Sequence, residues 1–137
     1  MHPFHLAIPV HDLSLADKFY GDILGCSKGR TSEHWIDWNF WEHQLVTHLV
    51  SELSNDSGGN DVDGKHIGVP HFGVVLDKKT WLQVKQQLES ADIAYAVKPG
   101  IRFKDAPGEQ GTFFVRDYSN NLLEFKYFNY LTALFAV

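Results

Sequence analysis

The chain states one pattern twice, and that repeat constrains its fold more than any single residue does. Phe4-His5-Leu6-Ala7-Ile8-Pro9-Val10 matches Pro70-His71-Phe72-Gly73-Val74-Val75-Leu76, with the histidines at an offset of 71 − 5 = 66. Both segments are apolar and strand-like, and each is followed by an aspartate, Asp12 or Asp77. A helical pattern comes next in each half. The first spans about 15–24, with Ser14 as its cap, a stripe of Leu15, Phe19 and Ile23, and Gly25 as its stop. The second spans about 79–90, on Trp81, Val84, Leu88 and Ala91. Three strands are expected after each helix, near 27–31, 34–40 and 43–51, then near 94–98, 112–117 and 121–128. Glu42-His43 and Ser119-Asn120-Asn121 turn the final pairs. Each half therefore reads βαβββ, and the fold class is α+β with two tandem modules, about 1–53 and 69–130, in one domain spanning 1–137.

The rest of the chain fits around the modules. Residues 54–68 are rich in Ser, Asn, Asp and Gly and read as a solvated linker. Asp56, Asp61 and Asp63 within it do not follow the spacing of a calcium loop. Aligning the closing strands sets Glu124 against His48, an offset of 124 − 48 = 76. The growth of the offset by ten places an insertion in 98–111, which reads as a long loop. The apolar tail, 131–137, reads as a final strand, a packed terminus or a subunit contact.

Composition removes several function classes. Over 137 residues, 44% apolar and 14% aromatic content is enough to bury a core. A net charge of 12 − 17 = −5 argues against a nucleic-acid partner. The single cysteine, Cys26, excludes an intrachain disulfide and a Cys-rich zinc site, and reads as a small buried residue. No apolar run approaches the roughly 20 residues of a membrane span. The start, Met1-His2-Pro3-Phe4-His5, has no basic-then-apolar leader, so a cytoplasmic location is expected.

Eight histidines are the compositional oddity. Strand alternation sorts them. His5, Ala7 and Pro9 share the face opposite Phe4, Leu6, Ile8 and Val10, and His71 shares a face with Gly73 and Val75. Gln44, Val46 and His48 lie together in the last strand of the first half. Glu124 sits between Leu123 and Phe125, where a carboxylate is expensive to bury unless paired or bound to metal. His5, His71 and Glu124 thus offer two imidazoles and one carboxylate, the set that non-haem Fe(II) enzymes use. His48 reads as a fourth ligand or an acid/base beside the metal. His2, His11, His34 and His66 read as surface positions, and His43 as packing or turn.

These residues resemble the vicinal oxygen chelate superfamily, also described as the glyoxalase/bleomycin resistance protein/dioxygenase family. The marks are Phe4 to Val10, Asp12-Leu13 with Ala16, Phe19-Tyr20, Leu24-Gly25, Val69 to Val74, and Leu122-Leu123-Glu124-Phe125. The resemblance implies that the two modules form a curved mixed sheet around a metal cavity, with ligands on the first and last strands of modules. It implies a divalent metal, Fe(II) favoured with Mn(II), Ni(II) or Zn(II) as alternatives, a small oxygen-chelating substrate, and a homodimer. Dioxygenase-like chemistry leads, with a glyoxalase-like lyase or isomerase, or a non-catalytic ligand-binding protein, as alternatives. His48 and Gln44 are the candidate catalytic residues, and Trp35, Asp37, Asn39, Arg102, Phe103 and Lys104 the candidate substrate contacts. Where the family often has Asp-Pro-x-Gly, this chain has Asp117-Tyr118-Ser119-Asn120-Asn121, with Asn taking the left-handed position. Glyoxalase I relatives carry a second metal-binding glutamate, aligned here with His48.

Overall fold

The computed structural model describes residues 1–53 and 58–137. Two compact units emerge, one of Met1–Ser57 with Asp117–Asn121, the other of Gly58–Arg116 with Leu122–Val137.

In the first unit, β1 (His5–Val10) leads into a short helix α1 (Leu13–Ala16) that continues as a π-helical segment (Asp17–Ile23), followed by β2 (Ser27–Thr31), β3 (Trp35–Phe40) and β4 (His43–Leu49). The sheet order is β1-β4-β3-β2, with β1 parallel to β4 and the other pairs antiparallel. Ile8, Val10, Phe19, Tyr20, Ile36, Trp38 and Leu45 are buried. Phe4, placed by alternation with that set, precedes the strand and is exposed. The helix cap is Asp12, not Ser14: its carboxylate accepts the Leu15 N–H at 3.0 Å. Beyond Ala16 the helix widens, with the Leu24 N–H donating to the Phe19 carbonyl five residues back. The wider turn lets adjacent Phe19 and Tyr20 both be buried, edge to face.

The Asp117–Asn121 turn completes this unit. Asp117 accepts the backbone N–H groups of Ser119 and Asn121 and the Tyr20 hydroxyl, each at 2.8 Å. Burial, reinforced by the Asp117 charge, raises the Tyr20 phenol well above its ordinary pKa. Asn120 has φ 68°, the left-handed geometry expected of it.

The second unit opens with a hairpin, β5 (Gly58–Val62) and β6 (Lys65–Val69), where a structureless linker was expected. Asp63 and Gly64 both have positive φ at its tip, the geometry that an Asp-Gly pair favours. Asp61 faces His66 and Asp63 faces Arg102; Asp56 lies outside the described residues. Ile67 anchors the hairpin against Phe114, Leu122 and Val97. Next come β7 (Phe72–Leu76), α2 (Lys78–Ser90), β8 (Tyr95–Arg102), β9 (Gln110–Arg116) and β10 (Leu122–Phe128). Their order, β7-β10-β9-β8 with β7 parallel to β10, repeats that of the first unit. Asp77 caps α2 through the Thr80 N–H and hydroxyl, and Trp81, Val84 and Leu88 are buried. In β10, Leu123, Phe125 and Tyr127 are fully buried while Glu124 and Lys126 are partly exposed.

β8 runs to Arg102, so the insertion is part strand, and its loop is shorter than composition suggested. The tail forms a 3₁₀ turn, Leu131–Phe135, with Leu131 and Phe135 exposed rather than a strand. Among the described residues, no helix is long and apolar enough to cross a membrane.

Candidate functional site

Hydrogen-bond register decides which residues of the two units correspond. In the first unit Ala7 pairs with Val46 and Pro9 with His48; in the second Gly73 pairs with Glu124. Ala7 and Gly73 each stand two residues after their repeat histidine. The counterpart of Glu124 is therefore Val46, and His48 lies two residues farther along. Counting residues back through loops of unequal length misaligned the closing strands; register aligns them.

In the first unit the polar face of the sheet carries a hydrogen-bonded chain. The His5 Nδ1 is 2.8 Å from the Gln44 Oε1, and the Gln44 Nε2 donates to the Asp37 Oδ2 at 3.4 Å. Beside it, the His43 Nδ1 accepts the Phe4 N–H at 2.8 Å and ties the entry of β1 to β4. An open groove of about 500 Å³ is lined by Pro3, Lys28, Asp37, Asn39, His43 and Gln44, among others. Asn39 is partly committed: its Oδ1 accepts the Glu42 N–H at 2.7 Å, inside a turn where Trp41 and Glu42 have positive φ. Trp35 and His48 are register partners, their rings tilted at 6.1 Å. Four residues at about 3.3 Å each separate the His48 rung from that of His5, roughly 13 Å. That distance puts His48 out of reach as a co-ligand of His5.

In the second unit His71 and Glu124 come together, the imidazole Nε2 3.4 Å from the carboxylate Oε1. Each is held from behind. The His71 Nδ1 lies 2.8 Å from the Gly68 carbonyl, which only accepts, so Nδ1 carries a proton and Nε2 is the nitrogen that faces Glu124. The Phe114 ring meets the His71 ring edge-on at 5.1 Å. Thr112 donates to the Glu124 Oε2 at 2.5 Å, and the Lys126 Nζ stands 4.0 Å from the same oxygen. Gly68, Thr112, Phe114 and Lys126 were not picked out from sequence. Alternation within β9 and β10 places Thr112, Phe114 and Lys126 on the Glu124 face, which is the signal that finds them.

Donor chemistry fits a divalent metal. Two ligands at about 2.1 Å and right angles stand about 3.0 Å apart, close to the spacing of His71 and Glu124. The tied outer atoms are the hydrogen bonds from behind that fix ligand orientation in metal sites. Among the described residues, no three His, Cys, Asp or Glu gather in metal-binding fashion; of the expected ligands the structure brings together His71 and Glu124.

Arg102 lies against the Phe103 ring at 5.2 Å and 3.8 Å from Asp63, while Phe103 and Lys104 are exposed. Phe103 has φ 54°, an uncommon backbone for a bulky residue. Three histidines read as surface or turn positions have partners: His43 and His66, above, and His11, whose Nδ1 is 2.8 Å from the Ser119 Oγ. Burial pushes the Cys26 thiol up to about 12, which leaves it a poor nucleophile.

No model of a known protein family matches the sequence, and no curated protein does. Solved structures do. A glyoxalase/bleomycin resistance protein/dioxygenase from Alicyclobacillus acidocaldarius is 33% identical, with 98% of this chain and 96% of that one covered at a TM-score of 0.78. The fosfomycin resistance protein FosX from Listeria monocytogenes is 11% identical, with 97% of both chains covered at a TM-score of 0.71. A lactoylglutathione lyase from Agrobacterium tumefaciens is 18% identical, with 99% and 97% covered at 0.64. The last two share the fold, with its paired four-stranded mixed sheets; the first, by its identity across nearly the full length of both chains, shows that this protein belongs to the glyoxalase/bleomycin resistance protein/dioxygenase family of the vicinal oxygen chelate superfamily.

Proposed function

We propose that the protein is a metal-dependent enzyme acting on a small, oxygen-chelating substrate, with a divalent metal held by His5, His71 and Glu124. The observation that carries this reading is the His71–Glu124 pair, whose facing atoms are 3.4 Å apart while its outer atoms are tied to Gly68 and Thr112. A bound metal would supply Lewis-acid polarisation of two neighbouring substrate oxygens, and Fe(II), which two imidazoles and a carboxylate suit, would add dioxygen chemistry. Mn(II), Ni(II) and Zn(II) accept the same donors. Val46, apolar at the counterpart of Glu124, leaves one carboxylate in the set. That favours dioxygenase-like chemistry over a glyoxalase-like site built on two glutamates.

The chain's own residues supply recognition. Lys126 holds a positive charge near Glu124 for an anionic substrate group. Trp35 and His48 offer a stacking surface, with His48 as the proton-transfer group for a substrate long enough to reach it. Arg102, Phe103 and Lys104 present a cationic and aromatic loop toward an anionic ligand. The working form is a homodimer.

The test is purification without chelators, with metal analysis of wild type, His71→Ala and Glu124→Ala. Wild type is expected to hold about one divalent ion per chain and the variants none. Oxygen uptake with catechols and isomerisation of a hemithioacetal then separate the two chemistries. A wild-type protein that neither holds nor acquires Fe(II), Mn(II), Ni(II) or Zn(II) would end the metalloenzyme reading; metal without either turnover would reduce it to ligand binding.

A further inference from the structure

We infer that Asp37 is a positioning residue: acting through Gln44, it fixes the tautomer in which His5 presents a free Nε2 lone pair. The consequence for metal affinity rests on the reading above, but the tautomer is a property of the metal-free chain.

The argument runs outward from the carboxylate. An ionised carboxylate only accepts hydrogen bonds. Asp37 Oδ2 faces the Gln44 Nε2 at 3.4 Å, so the amide nitrogen is turned toward β3 and the amide oxygen toward β1. There the Gln44 Oε1 meets the His5 Nδ1 at 2.8 Å. An amide oxygen also only accepts, so the imidazole proton sits on Nδ1 and Nε2 is left bare. The strands supply the geometry. His5 and Gln44 are register partners in the parallel β1–β4 pair, and Asp37, the register partner of Val46, stands diagonal to Gln44, two residues along, across β3–β4. Gly29 of β2 flanks Asp37 closely enough that a Cβ there would lie 3.3 Å from the Asp37 Cβ.

His71 reaches the same tautomer by another route, the Gly68 backbone carbonyl. Side-chain substitution can break the first arrangement and not the second, so His71 is an internal control within the same molecule.

The experiment uses the full-length, metal-free chain with ¹⁵N-labelled histidine, above the ordinary histidine titration range. Two-bond ¹H–¹⁵N correlation reads each ring's tautomer. Wild type is expected to show His5 and His71 both protonated at Nδ1. Gln44→Leu moves His5 to the mixture of free imidazole, in which Nε2–H dominates, and leaves His71 unchanged. Asp37→Asn frees the amide to turn and shifts His5 part of the way. In Asp37→Asn with Gln44→Glu, the carboxylate at position 44 again only accepts, and the Nδ1–H form returns. Titration with Zn(II) alone is expected to follow the same order, with Gln44→Leu about 10–100-fold weaker and the double variant recovering toward wild type.

If His5 stays protonated at Nδ1 in Asp37→Asn, whatever Gln44→Leu does, the inference is overturned while the metal reading stands. If the tautomer follows residues 37 and 44 but wild type binds no Zn(II), the positioning role is supported and the metal reading falls.

Discussion

At Gly73 one absent carbon sets the position of the candidate carboxylate. Gly73 pairs with Glu124 across the parallel β7–β10 edge, and a Cβ there would collide with the Glu124 carbonyl oxygen. Gly73→Ala is expected to push the strands apart at that rung, cost about 1–3 kcal/mol of stability, and weaken metal binding through displacement of Glu124. Urea unfolding and Zn(II) titration read the two effects; wild-type values in both would show that the strands absorb the methyl group freely. Strand alternation places Gly73 on the His71 face; that the Glu124 backbone fills the space beside it is something no single-strand pattern reveals. Glu109 was equally hidden, because its surroundings look like loop. It is 2% exposed, and its carboxylate accepts the Asp105 N–H, the Lys78 ammonium at 2.9 Å and the Tyr127 hydroxyl at 2.8 Å. Those donors, the Asp105 N–H first, hold it at about 2 against an ordinary 4.5. A carboxyl lowered on folding stabilises the native state fully above its unfolded value and loses that contribution as pH falls through the folded one. Thermal melts should therefore drop between about pH 4.5 and pH 2. Glu109→Gln should melt lower at neutral pH yet show a flatter acid limb; an unchanged acid limb would mean that Glu109 is not responsible.

The β5–β6 hairpin shows how an element can serve a site that none of its side chains enters. Its last strand supplies the Gly68 carbonyl that orients His71, and Ile67 beside it packs on Phe114 and Leu122. Ile67→Ala is expected to cost about 2–4 kcal/mol, speed amide exchange across 58–69, and weaken Zn(II) binding although Ile67 touches no ligand. Faster exchange with unchanged affinity would detach the hairpin from the site. Sequence missed this element because β5 is exposed throughout and has no alternating apolar face, so alternation gives no signal; only the Asp63-Gly64 turn was there to be read. The repeat strands and α2 were legible because each alternates or spirals against a core: Ile8 and Val10 in β1, Trp81, Val84 and Leu88 in α2, Leu123, Phe125 and Tyr127 in β10. The first helix was legible in place but not in kind. Burying Phe19, Tyr20, Ile23 and Leu24 together takes a wider turn than a four-residue stripe implies.

The proposed ligands divide unequally over the molecule: His71 and Glu124 belong to one compact unit and His5 to the other. The repeat explains the shared histidines, and Val46 explains why the first unit has no carboxylate at the counterpart of Glu124. A metal held as proposed would add to the stability of the native chain. Any ligand that binds only the native arrangement stabilises it by RT ln(1 + [L]/Kd), about 2.7 kcal/mol at a hundredfold excess over Kd. For a chain of this size that corresponds to an upward shift in Tm of roughly 10 °C. Added Zn(II) is therefore expected to raise the wild-type Tm, and chelation to reverse the rise. The informative comparison is between His5→Ala and Glu124→Ala, since each removes one donor from a different unit. Both should abolish the shift. If His5→Ala keeps the full shift while Glu124→Ala loses it, the metal is held by the second unit without His5, and the third donor has to be sought elsewhere. If both keep it, the ion binds outside the proposed set altogether. A shift lost in both variants means that the stabilisation by Zn(II) depends on both His5 and Glu124, 119 positions apart in the chain (124 − 5).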